Sequence, residues 1–299
     1  MDAIQAYLNG QWVDSRELRL PVSDLSIALG VAVSERLRTV HGKPFRQADH
    51  IRRLQRSLEI VGWDPPALAQ AAATAIDQFV ARNAPLMAPG DDWAISVLVT
   101  PGSSPDARQP TVCVDGFPLP FVRWARQFEL GVDAVISPIR QVPAACWPPE
   151  LKCRSRMHYY LADREAEQTV SGARPILLDT EGYVTESSTA NVVVYDPYRG
   201  LMTPELSEVL PGVSQQMLFE LADALGIPRV QQRLTPDQLA AAPEVFLTST
   251  SISVLPVVRL EGEPIGTGAP GPVYRRLLRA WSDCVGLDLA AQAQQFALR

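Results

Sequence analysis

Residues that build metal centres and hydrolytic triads are scarce in this chain. Its three histidines, His41, His50 and His158, are widely spaced, and its four cysteines, Cys113, Cys146, Cys153 and Cys284, show neither C-x-x-C spacing nor a neighbouring histidine cluster. No metal site is therefore expected, and reduced, mostly buried thiols are the default for all four cysteines. There is no G-x-S-x-G elbow for a nucleophilic serine and no G-x-G-x-x-G after a strand for a dinucleotide. No run approaches about 18 consecutive apolar residues, and the opening MDAIQAYLNGQWVD has neither a basic n-region nor an apolar h-region, so the expectation is a cytoplasmic protein that does not enter a membrane. With a net charge of -6 and Lys and Arg scattered, nucleic acid is not an expected partner.

What the chain has is length and apolar mass. At 299 residues with 46% hydrophobic residues, it suits two domains of ordinary size. Asn9-Gly10 between short apolar runs predicts a tight hairpin. The segment SDLSIALGVAVSERLRTVHGKPFR reads as loop, strand and a second turn at His41-Gly42. Ile51, Leu54, Leu58 and Val61 recur at helical intervals, with Asp49 as a candidate N-cap, and a second helix follows. WAISVLVTPG and PTVCVDGF are strand-like, so residues 1–118 read as a small N-terminal α/β domain. The stiff stretch FPLPFVRW marks a connection over 119–133, and 134–299 is the larger C-terminal domain, with short β-rich runs (VDAVISPI, RPILLD, ANVVVYD, EVFLTST) and two helical segments. The fold class expected is α/β of the α+β type.

Four features of the second half invite a chemical reading. Lys152 follows a Trp-Pro-Pro turn at the head of a helical-looking segment, LKCRSRMHYY. Glu186 lies in a loop between two strands. Pro211-Gly212 turns directly into a helix whose first N–H groups, on Val213 and Ser214, form an anion site. Thr248 to Ser251 is a run of hydroxyls at a strand end. Singly, each has an ordinary explanation as a solvated charge, a helix start or turn chemistry.

Together, GKPFRQADHIRRL, ELKCRSRMHYYLAD, GYVTESSTANVVVY, LPGVSQQML and FLTSTSISVLPV resemble, in order and at similar intervals, the class IV aminotransferase family of fold-type IV pyridoxal-phosphate enzymes. That family includes branched-chain and D-amino-acid aminotransferases and aminodeoxychorismate lyase. The resemblance implies a two-domain fold with pyridoxal 5'-phosphate in the interdomain cleft, and a homodimer. It implies that Lys152 holds the cofactor covalently and shuttles the substrate proton, and that Glu186 faces the pyridine nitrogen. Arg53, in the pattern His50-x-x-Arg53-Leu54, is implied as a phosphate ligand, together with Val213, Ser214 and Thr250. Lys152 has to be neutral to work as nucleophile or base, so a lowered amine pKa is expected.

The implied reaction is transfer of an amino group between an amino acid or amine and a 2-oxo acid. Two rivals stand beside it: an aminodeoxychorismate-lyase-like enzyme releasing pyruvate, and a non-catalytic binding protein on the same fold. Glu35, where the lyases often carry threonine, favours transamination, and the presence of both Lys152 and Glu186 weighs against the non-catalytic reading. The substrate pocket departs from the branched-chain pattern. Leu29 and Ser34 replace aromatic residues, and Met157 stands where a tyrosine is usual. Candidate substrate contacts are Arg38 and Arg154, as carboxylate handles, with Ser251 and Ile252. In a helix Lys152 and Arg156 would share a face. Tyr159 and Tyr160 read as core or interface aromatics.

Overall fold

The structure, a computed structural model, describes residues 3–298. Met1, Asp2 and Arg299, which open and close the two expected domains, lie outside the described residues. The chain divides into two compact units, Met1–Leu119 with Leu151–Ser155, and Pro120–Glu150 with Arg156–Arg299.

In the first unit, β1 (Gln5–Leu8) and β2 (Gln11–Asp14) are joined by Asn9 at φ 48° and Gly10 at φ 89°, the left-handed pair that a two-residue hairpin requires. The turn sets Tyr7 opposite Trp12, with their rings edge-on at 5.5 Å. A short helix α1 (Leu25–Ala28), capped by Asp24, occupies what reads in the sequence as loop. Next come β3 (Val33–Val40), the His41-Gly42 turn and β4 (Lys43–Pro44). Helix α2 (Gln47–Val61) starts earlier than expected. Arg46 is at the N-cap position, while Asp49 lies within the first turn and pairs with Arg46 and Arg52. Helix α3 (Pro65–Asn83), capped by Asp64, precedes β5 (Trp93–Thr100) and β6 (Thr111–Pro118).

The sheet order is β2-β1-β6-β5-β3-β4, and every pairing is antiparallel. This unit is therefore of the α+β kind, because its strands return by hairpins and two consecutive helices instead of crossing over after each strand. Its core joins Leu37, Ile95 and Val97 of the sheet to Leu54, Leu58, Ile76 and Phe79 of the helices, all fully buried.

The second unit begins inside the expected connection. Phe121, buried there, packs on Trp124 and Phe296, and a short helix α4 (Gln127–Leu130) leads into β7 (Val132–Ile136). Then follow α5 (Met157–Thr169), β8 (Arg174–Leu178), β9 (Val184–Ser187), β10 (Ala190–Asp196) and β11 (Gly200–Thr203). Next are α6 (Val213–Ala224), β12 (Arg229–Gln231), α7 (Pro236–Ala240) and β13 (Glu244–Ser249). The chain ends with β14 (Ser253–Leu260), β15 (Glu263–Pro264), α8 (Pro272–Val285) and α9 (Leu289–Gln295).

The strand order is β12-β11-β10-β13-β14-β7-β8-β9, and β9 also pairs with β10. That last pairing joins the sheet to itself, so six strands close a ring and leave β11 and β12 as an extension. Asn191 faces Glu186 at the closure.

Of the four thiols only Cys113 is buried, with Cys146 and Cys284 exposed and Cys153 half-buried. The expectation of mostly buried thiols is thereby corrected: Cys146 lies in an exposed loop stretch and Cys284 on an exposed part of α8. Burial pushes the Cys113 thiol up to about 12. Among the described residues no helix is long and apolar enough to cross a membrane.

Candidate functional site

Lys152 is not on a helix. Leu151 packs against the first unit's core, and the residues after it lie alongside the entry to β3. The Lys152 carbonyl accepts from the Ser34 amide at 2.9 Å, Cys153 bridges to Val33, and the Arg154 amide donates to the Ala32 carbonyl at 2.9 Å. The Lys152 amide donates to Ser57 Oγ at 3.2 Å, and Ser155 Oγ to the Gly30 carbonyl at 2.9 Å. Helix α5 begins only at Met157. The shared helical face expected for Lys152 and Arg156 is thus replaced by a non-helical segment, because residues 152–154 spend backbone groups on the entry to β3 and on Ser57.

The same unit holds a buried charge cluster. Arg53 donates Nε to Glu35 Oε1 at 2.8 Å and Nη2 to Oε2 at 2.7 Å, a bidentate pair, and His50 Nδ1 meets Oε2 at 3.0 Å. Burial would raise the Glu35 carboxyl, but the Arg53 charge, its hydrogen bonds and His50 hold it well below the usual carboxylate range. Burial pushes His50 down against the pull of Glu35, and the charges of Arg53 and Lys152 act in the same downward sense. Neutral His50 therefore carries its proton on Nδ1 and donates to Glu35. Arg38 is a correction to the substrate reading. It is buried, donates Nε to the Thr39 carbonyl at 3.0 Å and pairs with Asp92 at 3.6 Å, so its guanidinium is engaged in holding β3 to the start of β5. Arg154 is exposed.

In the second unit Glu186 is in β9 and buried, not in a loop. Its Oε1 accepts from Tyr159 OH at 2.6 Å and from Gln141 Nε2 at 2.5 Å, and the same Nε2 reaches Tyr159 OH at 3.0 Å. Burial, then the Glu186 charge, raise the Tyr159 hydroxyl well above its usual value, which keeps it a donor. Tyr159 thus has a hydrogen-bonding role that the core-or-interface expectation missed, and Tyr160, which is exposed, is not a core residue.

Helix α6 starts as its Pro-Gly signal predicts. Gly212 is the N-cap and supplies no side chain, Val213 and Ser214 are the first two helical residues, and the Gly212 carbonyl accepts from the Gln216 amide at 2.9 Å. Asn191 on β10 donates Nδ2 to the Leu210 carbonyl at 2.8 Å. A Cβ on Gly212 would stand 2.0 Å from Asn191 Oδ1, so glycine is required there for space. Directly opposite Asn191, and so on the same face of the sheet, is Thr248. The hydroxyl of Thr248 and the Nε2 of Gln215, both buried, have no hydrogen-bond partner among the described residues. Thr250, Ser251 and Ile252 form the turn between β13 and β14, closed by the Ser249–Ser253 pair with Ser253 at φ 57°.

The predicted residues therefore fall into two groups. Lys152 and Arg53 belong to the first unit; Glu186, Val213, Ser214, Thr250, Ser251 and Ile252 belong to the second, with Asn191 linking Glu186 to the α6 start. Asn191, Gln141 and Gln215 were not singled out by the sequence, and Thr248 was read there only as the first of a run of hydroxyls. Among the described residues no group of three or more His, Cys, Asp or Glu is placed to hold a metal ion.

Comparison with known proteins gives a match over residues 32–260 to the family described as "Amino-transferase class IV". The chain is 32% identical to a Thermotoga maritima protein described as "Probable branched-chain-amino-acid aminotransferase", over 90% of this chain and 92% of that one. It is 25% identical to the D-alanine aminotransferase of Bacillus licheniformis, over 94% and 97% of the two chains. Its fold matches that of the branched-chain aminotransferase from the thermophilic archaeon Thermoproteus uzoniensis, solved with norvaline, with a TM-score of 0.83, 26% identity, and 95% and 96% of the two chains covered.

Proposed function

The chain belongs to the class IV aminotransferase family and is an aminotransferase, and on that premise we propose that it works with pyridoxal 5'-phosphate held by Lys152. The observation that carries the proposal is the donor-rich start of α6: a helix terminus without a side-chain cap, beside a buried hydroxyl of Thr248 and a buried amide of Gln215 that lack partners among the described residues. Buried donors without acceptors are costly, and a phosphate dianion is the ligand whose charge and lone pairs match them.

Pyridoxal phosphate, when bound, supplies the carbonyl that captures an amine and the ring that takes up the electrons released with the α-proton. The residues do the rest. The Val213 and Ser214 amides and the Thr250 hydroxyl would bind the phosphate, and the Arg53 guanidinium, itself held by Glu35, would supply its cation. Glu186 holds a proton at the ring nitrogen. The Lys152 amine would hold the cofactor and move the proton of the substrate α-carbon, while backbone bonds to Ser34 and Ser57 fix where its side chain starts. Arg154, Ser251 and Ile252 are the proposed substrate contacts. The donor is an amino acid or amine and the acceptor a 2-oxo acid. A homodimer is proposed with this reading, supported by the exposed apolar side chains Val22, Ile27 and Leu29 of the first unit and Met157 of the second.

The test is unusually sharp because the sequence holds only two lysines, Lys43 and Lys152. Borohydride reduction of the holoenzyme followed by peptide mapping should place the cofactor on the peptide containing Lys152. Label on Lys43, or none after cofactor is supplied, overturns the assignment. With amino donor alone and no acceptor, the protein should then accumulate one equivalent of pyridoxamine phosphate per site. A panel of L-amino acids, D-amino acids and amines in that assay identifies the donor.

A further inference from the structure

We propose that Tyr159 and Gln141 are positioning residues for Glu186, aiming its carboxylate through the one oxygen on which they converge. This inference rests on the reading of Glu186 as the acid at the ring nitrogen.

The argument begins with convergence. The Tyr159 hydroxyl and the Gln141 amide both donate to Oε1, at 2.6 and 2.5 Å, and the 3.0 Å contact between them closes a triangle. A carboxylate on a strand can rotate about its side-chain bonds; two donors on one oxygen remove that freedom. Both donors are neutral, so they favour the ionised carboxylate without cancelling the charge that would hold a proton on a neighbouring base.

Tyr159 is itself held from the strand it serves. The Arg156 guanidinium lies over its ring at 4.7 Å from the centroid and donates Nη2 to the carbonyl of Ser188, which follows directly after β9. The His158 ring lies 3.9 Å from the Tyr159 ring, centroid to centroid. Glu186, Ser188, Arg156 and Tyr159 therefore form a closed circuit, and Ser188 is tied in turn to α5 by its 2.6 Å bond to Asp163.

Gln141 supplies an independent sign. Its Nε2 serves Glu186 and Tyr159 while its Oε1 is buried with no partner among the described residues. A residue present only to satisfy the fold would not leave an acceptor stranded, whereas one needed to present a donor to Glu186 tolerates it.

The experiment compares Tyr159→Phe, Gln141→Leu, Glu186→Gln and the Tyr159→Phe/Glu186→Gln double variant, each as holoenzyme with a melting-temperature control. Two quantities are read: the half-reaction rate at saturating amino donor, and the chemical shift of the ring nitrogen in 15N-labelled cofactor. Losing one bond to a charged acceptor should slow the half-reaction roughly tenfold to a hundredfold. The donor concentration for half-saturation should stay within about twofold, and the ring nitrogen should move toward its unprotonated shift. In the Glu186→Gln background the tyrosine change should add less than about a twofold effect, because the group it positions is gone.

If Glu186→Gln leaves rate and shift normal, the reading of Glu186 fails and this inference falls with it. If Glu186→Gln slows the reaction while Tyr159→Phe and Gln141→Leu leave the nitrogen shift unmoved, or act equally in both backgrounds, only this inference fails. Should Tyr159→Phe not fold, Gln141→Leu decides by the same readouts.

Discussion

Glu186 and Asn191 are cross-strand partners at the point where the second unit's sheet closes, and Asn191 in turn binds the Leu210 carbonyl at the entrance to α6. One backbone pairing thus ties the candidate acid to the candidate anion site. The two groups do not depend on a loop for their relative placement; they are registered through β9, β10 and a single amide side chain.

Gly212→Ala tests that registration. The added methyl would stand 2.0 Å from Asn191 Oδ1, and Asn191 cannot swing away without giving up its bond to Leu210. A loss of about 1–3 kcal/mol of stability is expected, the usual cost of overpacking. Cofactor affinity, measured by equilibrium dialysis, should fall with it. Removing the obstruction in a Gly212→Ala/Asn191→Ala double variant should restore part of the stability but leave the affinity low. An alanine variant with unchanged melting and affinity would show that the α6 start adjusts freely.

The ion pair of Arg53 with Glu35 and its proposed hold on the phosphate can be separated. Arg53→Ala leaves the Glu35 carboxylate, fully buried, without its bidentate partner. Removing one member of a buried pair typically costs about 3–5 kcal/mol. Arg53→Met/Glu35→Gln removes both charges and should regain most of that stability in urea titrations, while cofactor affinity stays roughly tenfold to a hundredfold down, the worth of a bond to a charged group. If affinity recovers along with stability, another residue supplies the cation for phosphate.

Acid should destabilise the protein in two stages. His50 has a lowered folded pKa, so the unfolded chain takes up the proton first and stability falls as pH drops below the ordinary value of 6.5. Glu35 is held below its ordinary 4.5, so the stability it contributes is complete above that value and is lost as pH falls further. Urea midpoints measured from neutral pH downward should show both stages; burial lowers His158 as well, so His50→Gln should diminish the first stage and leave the second unchanged. A profile between 6.5 and 4.5 that His50→Gln leaves unchanged would mean that His50 does not contribute to the first stage.

Local order was readable in the sequence and long-range pairing was not. The Asn9-Gly10 and His41-Gly42 turns and the Pro-Gly start of α6 are each encoded within a few residues, and all three occur as read. Lys152 and Glu186 stand out by motif, but their backbone states do not. The pairing of residues 152–154 with the entry to β3 joins segments about 120 residues apart, so the helical pattern of RSRMHYY, read backwards, overran its true start. Glu186 reads as loop because two β-runs flank it, yet the ring closes through that very strand. Tyr159 could not be distinguished from any other aromatic on α5, since the partners of a phenol hydroxyl come from wherever the fold brings them. Arg38 shows the converse: an arginine with the right chemistry for a carboxylate had found one inside the fold, on Asp92.

The excursion of Leu151–Ser155 into the first unit has a consequence for dissecting the molecule. A gene cut after codon 119 would encode an amino-terminal fragment lacking a stretch of backbone that pairs with its own sheet, and a carboxy-terminal fragment carrying that stretch, with Lys152, as an orphan. Neither half would be a self-sufficient module, and mixing them would succeed only if the orphan found its place as a guest peptide does on a sheet edge. Shuffling either unit between relatives by simple fusion would carry the lysine away from the residues that seat it. The two units can be exchanged only by recombination at three points along the chain.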